Sequence, residues 1–255
     1  MTSPTVLVVG EALVDVTRSP GRPDSEHPGG SPLNVAVGLG RLGVSVTLAT
    51  HLGADARGDR IRAHLSDSGV RLATPASTAV TATATARLDA AGHATYEFDL
   101  HWDPSDLPDP SDYTLVHVGS IGSWLPPGAN AVGDLVDRAG HAGVPVSFDP
   151  NLRPILAPDL DAVGQRVRRL AAAAHIVKLS DEDAAALGSH DDSVVGEILG
   201  HGAALVALTR GSAGSLLASS GYRWASSSRP DRAACAAAAV REGRSSLRRM
   251  LVTWR

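Results

Sequence analysis

The apolar residues of this chain fall into short runs that are separated by amphipathic stretches. The first run, Val6–Val9, is β-branched and ends at Gly10, which is typical of a buried strand. Similar runs predict strands at Val44–Thr50, Leu115–Val118, Val144–Phe148, Ile176–Lys178 and Ala204–Leu208. Helical patterns lie between them, at residues 32–42, 56–68, 128–142, 159–174, 181–187 and 193–200. This alternation predicts an α/β fold in which helices cover both faces of a mostly parallel sheet.

One segment departs from this alternation. Val80–Leu88 alternates apolar and polar residues with period 2, and Thr95–Leu100 follows after a turn at residues 89–92. The pattern predicts an antiparallel hairpin that is exposed on one face. Such a hairpin does not fit easily into a parallel sheet, so we expect it to form a flap or lid over one edge.

The composition fits one large domain, or one domain with a small appendage. The chain has 255 residues, of which 43% are hydrophobic and 20% charged. Its single cysteine, Cys235, excludes an intramolecular disulfide and most cysteine-based metal sites. No apolar run reaches the roughly 18–20 residues that span a bilayer, and the first residues do not have the pattern of a secretory signal. We therefore expect a cytoplasmic protein.

A glycine motif near the N-terminus has the wrong surroundings for a dinucleotide site. Gly38, Gly40 and Gly43 match the pattern G-x-G-x-x-G. That site needs a strand before the motif and a helix after it, whereas here a helix precedes and a strand follows. We interpret the glycines as close helix packing and a helix stop.

Three clusters of residues carry candidate chemistry. Asp15 follows the first strand closely, where a carboxylate can accept hydrogen bonds from sugar hydroxyls, although a turn Asp is an equal alternative. Gly30 precedes a helix that carries Asn34; this pair suits either close approach to a polyol or a simple solvent-exposed loop. Asn151 and Arg153 follow the strand at Val144–Phe148 and suit a hydroxyl or phosphate site, or a salt-bridged loop.

Several ordered motifs together resemble those of the ribokinase-like (PfkB) carbohydrate kinases, most closely the bacterial fructokinase type. The stretches are GEALVD at 10–15, GGSPLNVAVGLGRLG at 29–43, LATHLGADARGDRI at 48–61, SFDPNLR at 147–153, VKLSDED at 177–183 and LTRGSAGSLL at 208–217. The resemblance implies a doubly wound α/β domain with a small β lid. It also implies transfer of phosphate from ATP to a sugar, with Mg²⁺ as cofactor.

The resemblance assigns roles to matching residues. Those expected to bind the sugar are Asp15, Gly30, Asn34, Asn151 and Arg153. Those expected on the nucleotide side are Lys178, Ser180, Thr209, Gly211 and Gly214. Asp183 is expected to help organise the metal, since Ser180 and Asp183 stand where the family has Asn-x-x-Glu. His101 and Trp102 are interpreted either as pocket lining or as linker packing.

The resemblance also implies lid elements near residues 12–30 and 76–102 of a domain over 1–218. Family members form homodimers through the lid, so a homodimer is one expectation. No nucleic-acid or membrane partner is expected.

The C-terminal residues 219–255 depart from the family pattern. The family's catalytic Gly-Ala-Gly-Asp stretch is not found there, and its only acidic residues are Asp231 and Glu242. Residues 220–255 carry a charge of +6, whereas the rest of the chain carries −10. A shifted reading frame or truncated gene model is one hypothesis, a divergent but genuine terminus a second, and a basic nucleic-acid arm a third. Scattered arginines without aromatic organisation disfavour the third.

Two functional hypotheses follow from this departure. The first is a carbohydrate kinase, fructokinase-like in its acceptor, and the second is a catalytically impaired sugar-binding protein of the same fold. The fold is then expected to be C-terminally incomplete, with the sheet edge at Ala204–Leu208 uncovered and prone to aggregation.

Overall fold

A computed structural model of the chain describes residues 3–73, 80–89, 93–104, 106–157, 159–189 and 191–226. Residues 76–79 of the expected lid, the turn at residues 90–92, Cys235 and the tail from residue 227 lie outside the described residues. The strands are β1 Thr5–Val9, β2 Leu13–Arg18, β3 Ser25–Gly29, β4 Ser45–Ala49, β5 Val70–Ala73, β6 Thr83–Leu88, β7 Ala94–Asp99, β8 Leu115–Gly119, β9 Val146–Asp149, β10 Ile176–Ser180, β11 Leu205–Thr209, β12 Ser215–Ser219 and β13 Tyr222–Ser226. The α-helices are α1 Ser31–Arg41, α2 Ala56–Asp67, α3 Ser120–Trp124, α4 Gly128–His141, α5 Leu160–Ala173, α6 Asp181–Ala186 and α7 Ser193–Gly200.

Nine strands form the main sheet, in the order β13-β12-β11-β10-β9-β8-β1-β4-β5. The seven strands from β11 to β5 pair in parallel, and β12 and β13 add antiparallel pairs at one end. The chain moves from β1 outward to β4 and β5, and then returns to lay β8 on the other side of β1. This doubly wound arrangement confirms the predicted fold class.

The apolar residues of the sheet divide between two cores. Alternate residues such as Val118, Phe148 and Leu179 lie in the larger core, together with residues of α3–α7. The smaller core joins Val8 and Leu48 to the apolar faces of α1 and α2. Helices therefore cover both faces, as parallel sheets require.

A second sheet of four strands has the order β3-β2-β6-β7, and we call it the lid sheet. The predicted hairpin forms β6 and β7, and it stays outside the main sheet, as expected. Strand β2 pairs with β6 in parallel and with β3 antiparallel. Glu26 of β3 binds both Arg57 (2.6 Å) and Arg60 (3.3 Å) of α2, which fastens the lid sheet to the body.

Two glycines of the motif, Gly40 and Gly43, have the packing and helix-ending roles that were predicted, whereas Gly38 has open space around it. Gly38 and Gly40 lie inside α1, and Gly43 follows its end with φ of +79°. A Cβ on Gly40 would lie 2.2 Å from the carbonyl oxygen of Ser68, so α1 can approach this turn only with glycine there.

The expectation of an uncovered edge at Ala204–Leu208 is wrong. Strand β11 pairs with β12, and β12 pairs with β13, so Leu205–Thr209 lies inside the sheet. The Ser220–Gly221 turn allows this, because Gly221 adopts φ of +97° and reverses the chain. The main sheet thus continues past residue 218. In the described part of the chain, no helix is long and apolar enough to cross a membrane.

Candidate active site

The order of the strands locates the candidate ligand position. The direction of winding reverses between β1 and β8, and ligands of open α/β sheets bind beyond the carboxyl ends of the strands at such a point. Glu11 follows β1 there, Ser120 follows β8, and Asn151 follows β9. We call the space above these three residues the crevice.

Glu11 is a buried carboxyl group at this edge of the sheet, with 4% of its surface exposed. Its Oε2 atom accepts a hydrogen bond from the backbone N–H of Gly122 (2.8 Å). Burial raises its pKa to about 7, while hydrogen bonds from the Ser120 side chain and the Gly122 amide act in the opposite direction. The carboxyl group therefore changes protonation near neutral pH.

Ser120 and Asn151 both adopt left-handed backbone conformations, with φ of +55° and +39°. The Nδ2 atom of Asn151 donates to the Ser120 hydroxyl (3.0 Å), and Ser123 donates to the Ser120 carbonyl oxygen (2.7 Å). Non-glycine residues in this region cost on the order of 1 kcal/mol or more, and they concentrate at functional sites. The sequence analysis identified neither Glu11 nor Ser120 as a site residue.

The loop before α1 lies directly against Glu11. Gly30 has φ of +106°, and a Cβ on it would lie 2.7 Å from the Glu11 carbonyl oxygen. Asn34 donates its backbone N–H to the Gly30 carbonyl oxygen (3.0 Å), and its side chain is exposed. Gly30 is thus required by the packing of this loop, and Asn34 is open to a ligand.

Asp15 lies on β2 of the lid sheet, facing away from the lid's packed side. A Cβ on Gly29 would lie 2.1 Å from its Oδ2, so this carboxylate reaches the same loop. Partial desolvation raises the pKa of Asp15, and His27, opposite it on β3, lowers that pKa. A continuous line of contacts therefore runs from Asp15 through the Gly29–Gly30 loop and Glu11 to Ser120 and Asn151.

Arg153 does not join this line in the structure. Its side chain is exposed, and its Nη1 donates to the neighbouring Leu152 carbonyl oxygen (2.8 Å).

Asp183 is held by protein donors at both carboxylate oxygens. Its Oδ2 accepts from the Ser180 N–H and hydroxyl (both 2.8 Å), which completes a capping box on α6, and its Oδ1 accepts from the Leu152 N–H (2.6 Å). With 3% of its surface exposed, Asp183 fastens the loop at residues 150–153 to the start of α6. This places the loop that carries Asn151.

Four polar residues of β8, β9 and β10 lie on the sheet beside this loop: His117, Ser147, Asp149 and Lys178. Lys178 Nζ lies 3.0 Å from Asp149 Oδ2, whereas Asp149 Oδ1 is buried with no hydrogen-bond partner among the described residues. Burial raises the pKa of Asp149, and Lys178 opposes that rise. His117 is buried beside Ser147 (3.3 Å), and burial, reinforced by Lys178, lowers its pKa to about 4.

The residues predicted on the nucleotide side lie at the ends of β10 and β11. Ser180 and Thr209 are paired in register, and the turn from Gly211 to Gly214 follows directly. Gly214 has φ of +94°, and its carbonyl oxygen accepts from the Arg210 N–H (2.8 Å). Lys178 points instead toward Asp149, one strand closer to the crevice.

The structure distinguishes His101 from Trp102. The Trp102 ring is buried, donates its Nε1–H to the Gly122 carbonyl oxygen (2.8 Å), and packs against Gly128 so closely that a Cβ there would lie 2.3 Å away. Trp102 is therefore linker packing and not pocket lining. His101 is exposed and lies 3.5 Å from Asp99.

Comparison with known proteins gives a consistent result. Residues 3–234 match the family model described as pfkB family carbohydrate kinase. The chain is similar to a fructokinase of Rhizobium leguminosarum bv. trifolii, with 33% identity over 85% of this chain and 69% of that protein. Its fold is similar to a fructokinase with bound ATP from Xylella fastidiosa (TM-score 0.76, 29% identity, 88% of this chain and 77% of that one). It is also similar to a Vibrio cholerae O395 fructokinase in a form with fructose, ADP and calcium bound (TM-score 0.73, 25% identity, 88% and 76%).

Proposed function

The chain belongs to the pfkB family of carbohydrate kinases, and we propose that it transfers the γ-phosphate of ATP to a hydroxyl group of a small sugar, with fructose as the first candidate. The observation that carries this proposal is the line of contacts from Asp15 through Gly30 and Glu11 to Asn151. It lies where α/β sheets bind ligands, and it is lined by carboxylate and amide groups that suit a polyol. The fructokinase relatives support fructose as acceptor.

At the acceptor end, the side chains of Asp15, Asn34 and Asn151 hold the sugar by its hydroxyl groups. Asp15 accepts hydrogen bonds, and the two amides both donate and accept. Because Asp15 belongs to the lid sheet, a sugar bound to it draws the lid sheet toward the body. Closure excludes water, which favours transfer of phosphate to the sugar over hydrolysis of ATP. Arg153 reaches phosphate only if its side chain leaves the Leu152 carbonyl oxygen.

The nucleotide lies, in this proposal, along the ends of β10 and β11. Thr209 ends β11, and the turn that follows contains Gly211 and Gly214, whose lack of side chains lets a phosphate approach the backbone closely. Ser180 and Lys178 lie on the neighbouring strand β10.

Asp183 was expected to help organise Mg²⁺, but its surroundings do not fit that role. Both oxygens of Asp183 are engaged by protein donors, and the described residues hold no cluster of three or more His, Cys, Asp or Glu suited to a metal. A magnesium ion that enters with ATP would keep water and phosphate ligands, and it would neutralise phosphate charge during transfer.

A second function, sugar binding without phosphate transfer, is favoured by one feature of the sequence. The 255 residues contain no Gly-x-Gly-Asp stretch, which in the family supplies the anion-binding amides and the general base. Loss of a base costs about 10²–10⁴-fold in rate, and loss of an anion hole costs a further 10²–10³-fold or so. Together these losses would bring phosphate transfer close to background.

A coupled ADP-release assay separates the two functions. The full chain is assayed with ATP, Mg²⁺ and a panel that includes fructose, ribose and a nucleoside, and the same sugars are titrated by calorimetry. Turnover at rates typical of kinases, reduced in Asp15→Asn but not in Asp67→Asn on the exposed end of α2, supports the kinase. Binding without turnover supports the second function. If the chain neither binds nor phosphorylates any sugar of the panel, both functions are refuted.

We also propose that two copies associate through the lid sheet. Tyr96 is 58% exposed on β7 and stacks with Phe98 at a ring distance of 6.4 Å, which gives this surface an aromatic contact. Light scattering on the wild type and on Tyr96→Lys tests it: a dimer that the substitution converts to a monomer is the expected result, and a monomeric wild type refutes it.

A further inference from the structure

Glu11 forms a link between the first strand and the two strained residues of the crevice. Its Oε2 atom accepts the backbone N–H of Gly122 (2.8 Å), and the Ser120 side chain, two residues earlier, acts to lower its pKa. The Ser120 hydroxyl in turn accepts a hydrogen bond from Asn151 Nδ2 (3.0 Å). In the described part of the chain it forms no ion pair. A buried carboxyl group without a cation is costly, so its presence here calls for a role.

The residues that it contacts need to be held in place. Ser120 and Asn151 have positive φ values, and such conformations persist only where surrounding contacts fix them. The Leu152 N–H to Asp183 hydrogen bond fixes the loop behind Asn151, whereas the Asn151 side chain is fixed through Ser120 alone among the hydrogen bonds of the described residues. The orientation of the Asn151 amide therefore depends on the group that orients the Ser120 hydroxyl.

We propose that Glu11 is a positioning residue of the acceptor site, which sets the orientation of the Asn151 amide through the Ser120 hydroxyl. This inference rests on the proposed function, because it concerns a residue assigned there to the sugar. Glu11 does not contact the sugar in this proposal, and its effect on binding is transmitted by two hydrogen bonds.

The protonation of Glu11 changes the direction of the first of these bonds. An ionised carboxylate accepts the Ser120 hydroxyl proton, so that the lone pairs of the hydroxyl oxygen face the Asn151 amide. A neutral carboxylic acid can donate to that oxygen instead, and the hydroxyl proton then turns away. Asn151 is thus held best when Glu11 is ionised.

The elements that pack directly against Glu11 carry few other titratable groups. Helix α3, which packs against it, has the sequence SIGSW and carries no titratable group, and the first turn of α1 carries none either. The titratable groups on the neighbouring elements are Asp15 of the lid sheet, which reaches the Gly29–Gly30 loop, and His51, which follows β4 beside β1. Beyond Asn151, Asp149 and Lys178 pair with each other at 3.0 Å. Because burial is the main cause, the pKa of Glu11 is raised to about 7, within the range where binding is measured.

An NMR titration of the full chain without ligand tests the relay. In the wild type, the side-chain amide signals of Asn151 and the backbone amide of Gly122 are expected to shift with one midpoint near pH 7. In Glu11→Gln neither signal titrates, and in Ser120→Ala the Gly122 signal still titrates while the Asn151 signal does not. Asn151 signals that stay constant in the wild type, or that titrate unchanged in Glu11→Gln, overturn the proposal. The wild-type measurement needs no variant to fold.

Calorimetry with fructose tests the consequence for binding. The wild-type dissociation constant is expected to be several-fold lower at pH 8 than at pH 6, since a misplaced hydrogen bond costs about 1 kcal/mol, or roughly fivefold. The difference disappears in Glu11→Gln and persists in Asp67→Asn, which changes an exposed carboxylate at the end of α2. A pH difference that is unchanged in Glu11→Gln contradicts the role of Glu11. If the wild type binds no sugar at all, the proposed function fails, while the NMR result still decides the relay.

Discussion

The pKa values of two buried groups, Glu11 and His117, are shifted in opposite directions, so their effects on the pH dependence of stability oppose each other. The Glu11→Gln substitution should remove one of these effects and reveal the other. Glu11 has a pKa raised from 4.5 to about 7, so between these values the folded state holds a proton that the unfolded chain lacks. Its contribution to stability is present below pH 4.5 and is lost as the pH rises through 7. His117 has a pKa lowered from 6.5 to about 4, so its contribution is present above pH 6.5 and is lost as the pH falls.

The size of the effect follows from these values. Each proton that only one state holds changes the free energy of unfolding by about 1.4 kcal/mol per pH unit. Between pH 4.5 and 6.5 the two groups act with opposite sign, so their contributions cancel in the wild type. Removing the Glu11 titration leaves that of His117 uncompensated, worth about 3 kcal/mol over the two pH units.

Urea unfolding of the wild type and Glu11→Gln at several values from pH 4.5 to pH 8 measures the effect. The free energy of unfolding of Glu11→Gln, relative to the wild type, should rise by about 3 kcal/mol over this range. His117→Asn, which can keep the hydrogen bond to Ser147, should show the opposite trend, and the double variant should again run parallel to the wild type. A constant difference between Glu11→Gln and the wild type at all pH values would refute the reasoning.

Three further substitutions test the supports of the site. Asp183→Ala should lower the free energy of unfolding by about 2–4 kcal/mol in urea without Mg²⁺, since it removes a helix cap and leaves a buried loop amide unpaired; a loss seen only with Mg²⁺ would contradict this. Gly30→Ala should lower the free energy of unfolding by about 1–3 kcal/mol and Tm by several degrees, because Gly30 has a positive φ and no room for a Cβ. Gly38→Ala, inside α1 with open space around it, should not; equal effects would contradict the requirement for glycine at position 30. Glu26→Gln should cost less than about 1 kcal/mol at low salt and nothing in 1 M salt, and a salt-independent loss would exclude a simple ion-pair clamp on the lid sheet.

The regular elements of the fold could be predicted because their signals are local. The β-branched run at Val6–Val9, the period-2 segment at Val80–Leu88 and the glycine after α1 each gave the right element within a few residues. The two segments of the lid were predicted, but the pairing of their strands could not be. The parallel pairing of β2 with β6 joins residues about 70 positions apart. Composition misled the prediction at the end of the sheet, where serine-rich residues form β12 and β13.

The crevice could be predicted only in part, for a physical reason. Asp15 and Gly30 were predicted as site residues because a carboxylate after a strand and paired glycines before a helix are visible in sequence. Ser120 has a positive φ and its hydroxyl accepts a hydrogen bond from Asn151, 31 positions away, and no local signal in a serine indicates either feature. Glu11 stands beside Gly10 in the same motif, but only the packing of α3 shows that it is buried.

The central claim is that a sugar binds in the crevice between β1 and β8. The most direct measurement is an NMR titration of the full chain with fructose, following backbone and side-chain amides along the sheet. We predict saturable shifts for Gly30, Asn34, Ser120 and Asn151, with one dissociation constant, and little change on helix α7, which packs on β11. Saturable shifts confined to other parts of the chain, or none with any sugar of the panel, would contradict the account.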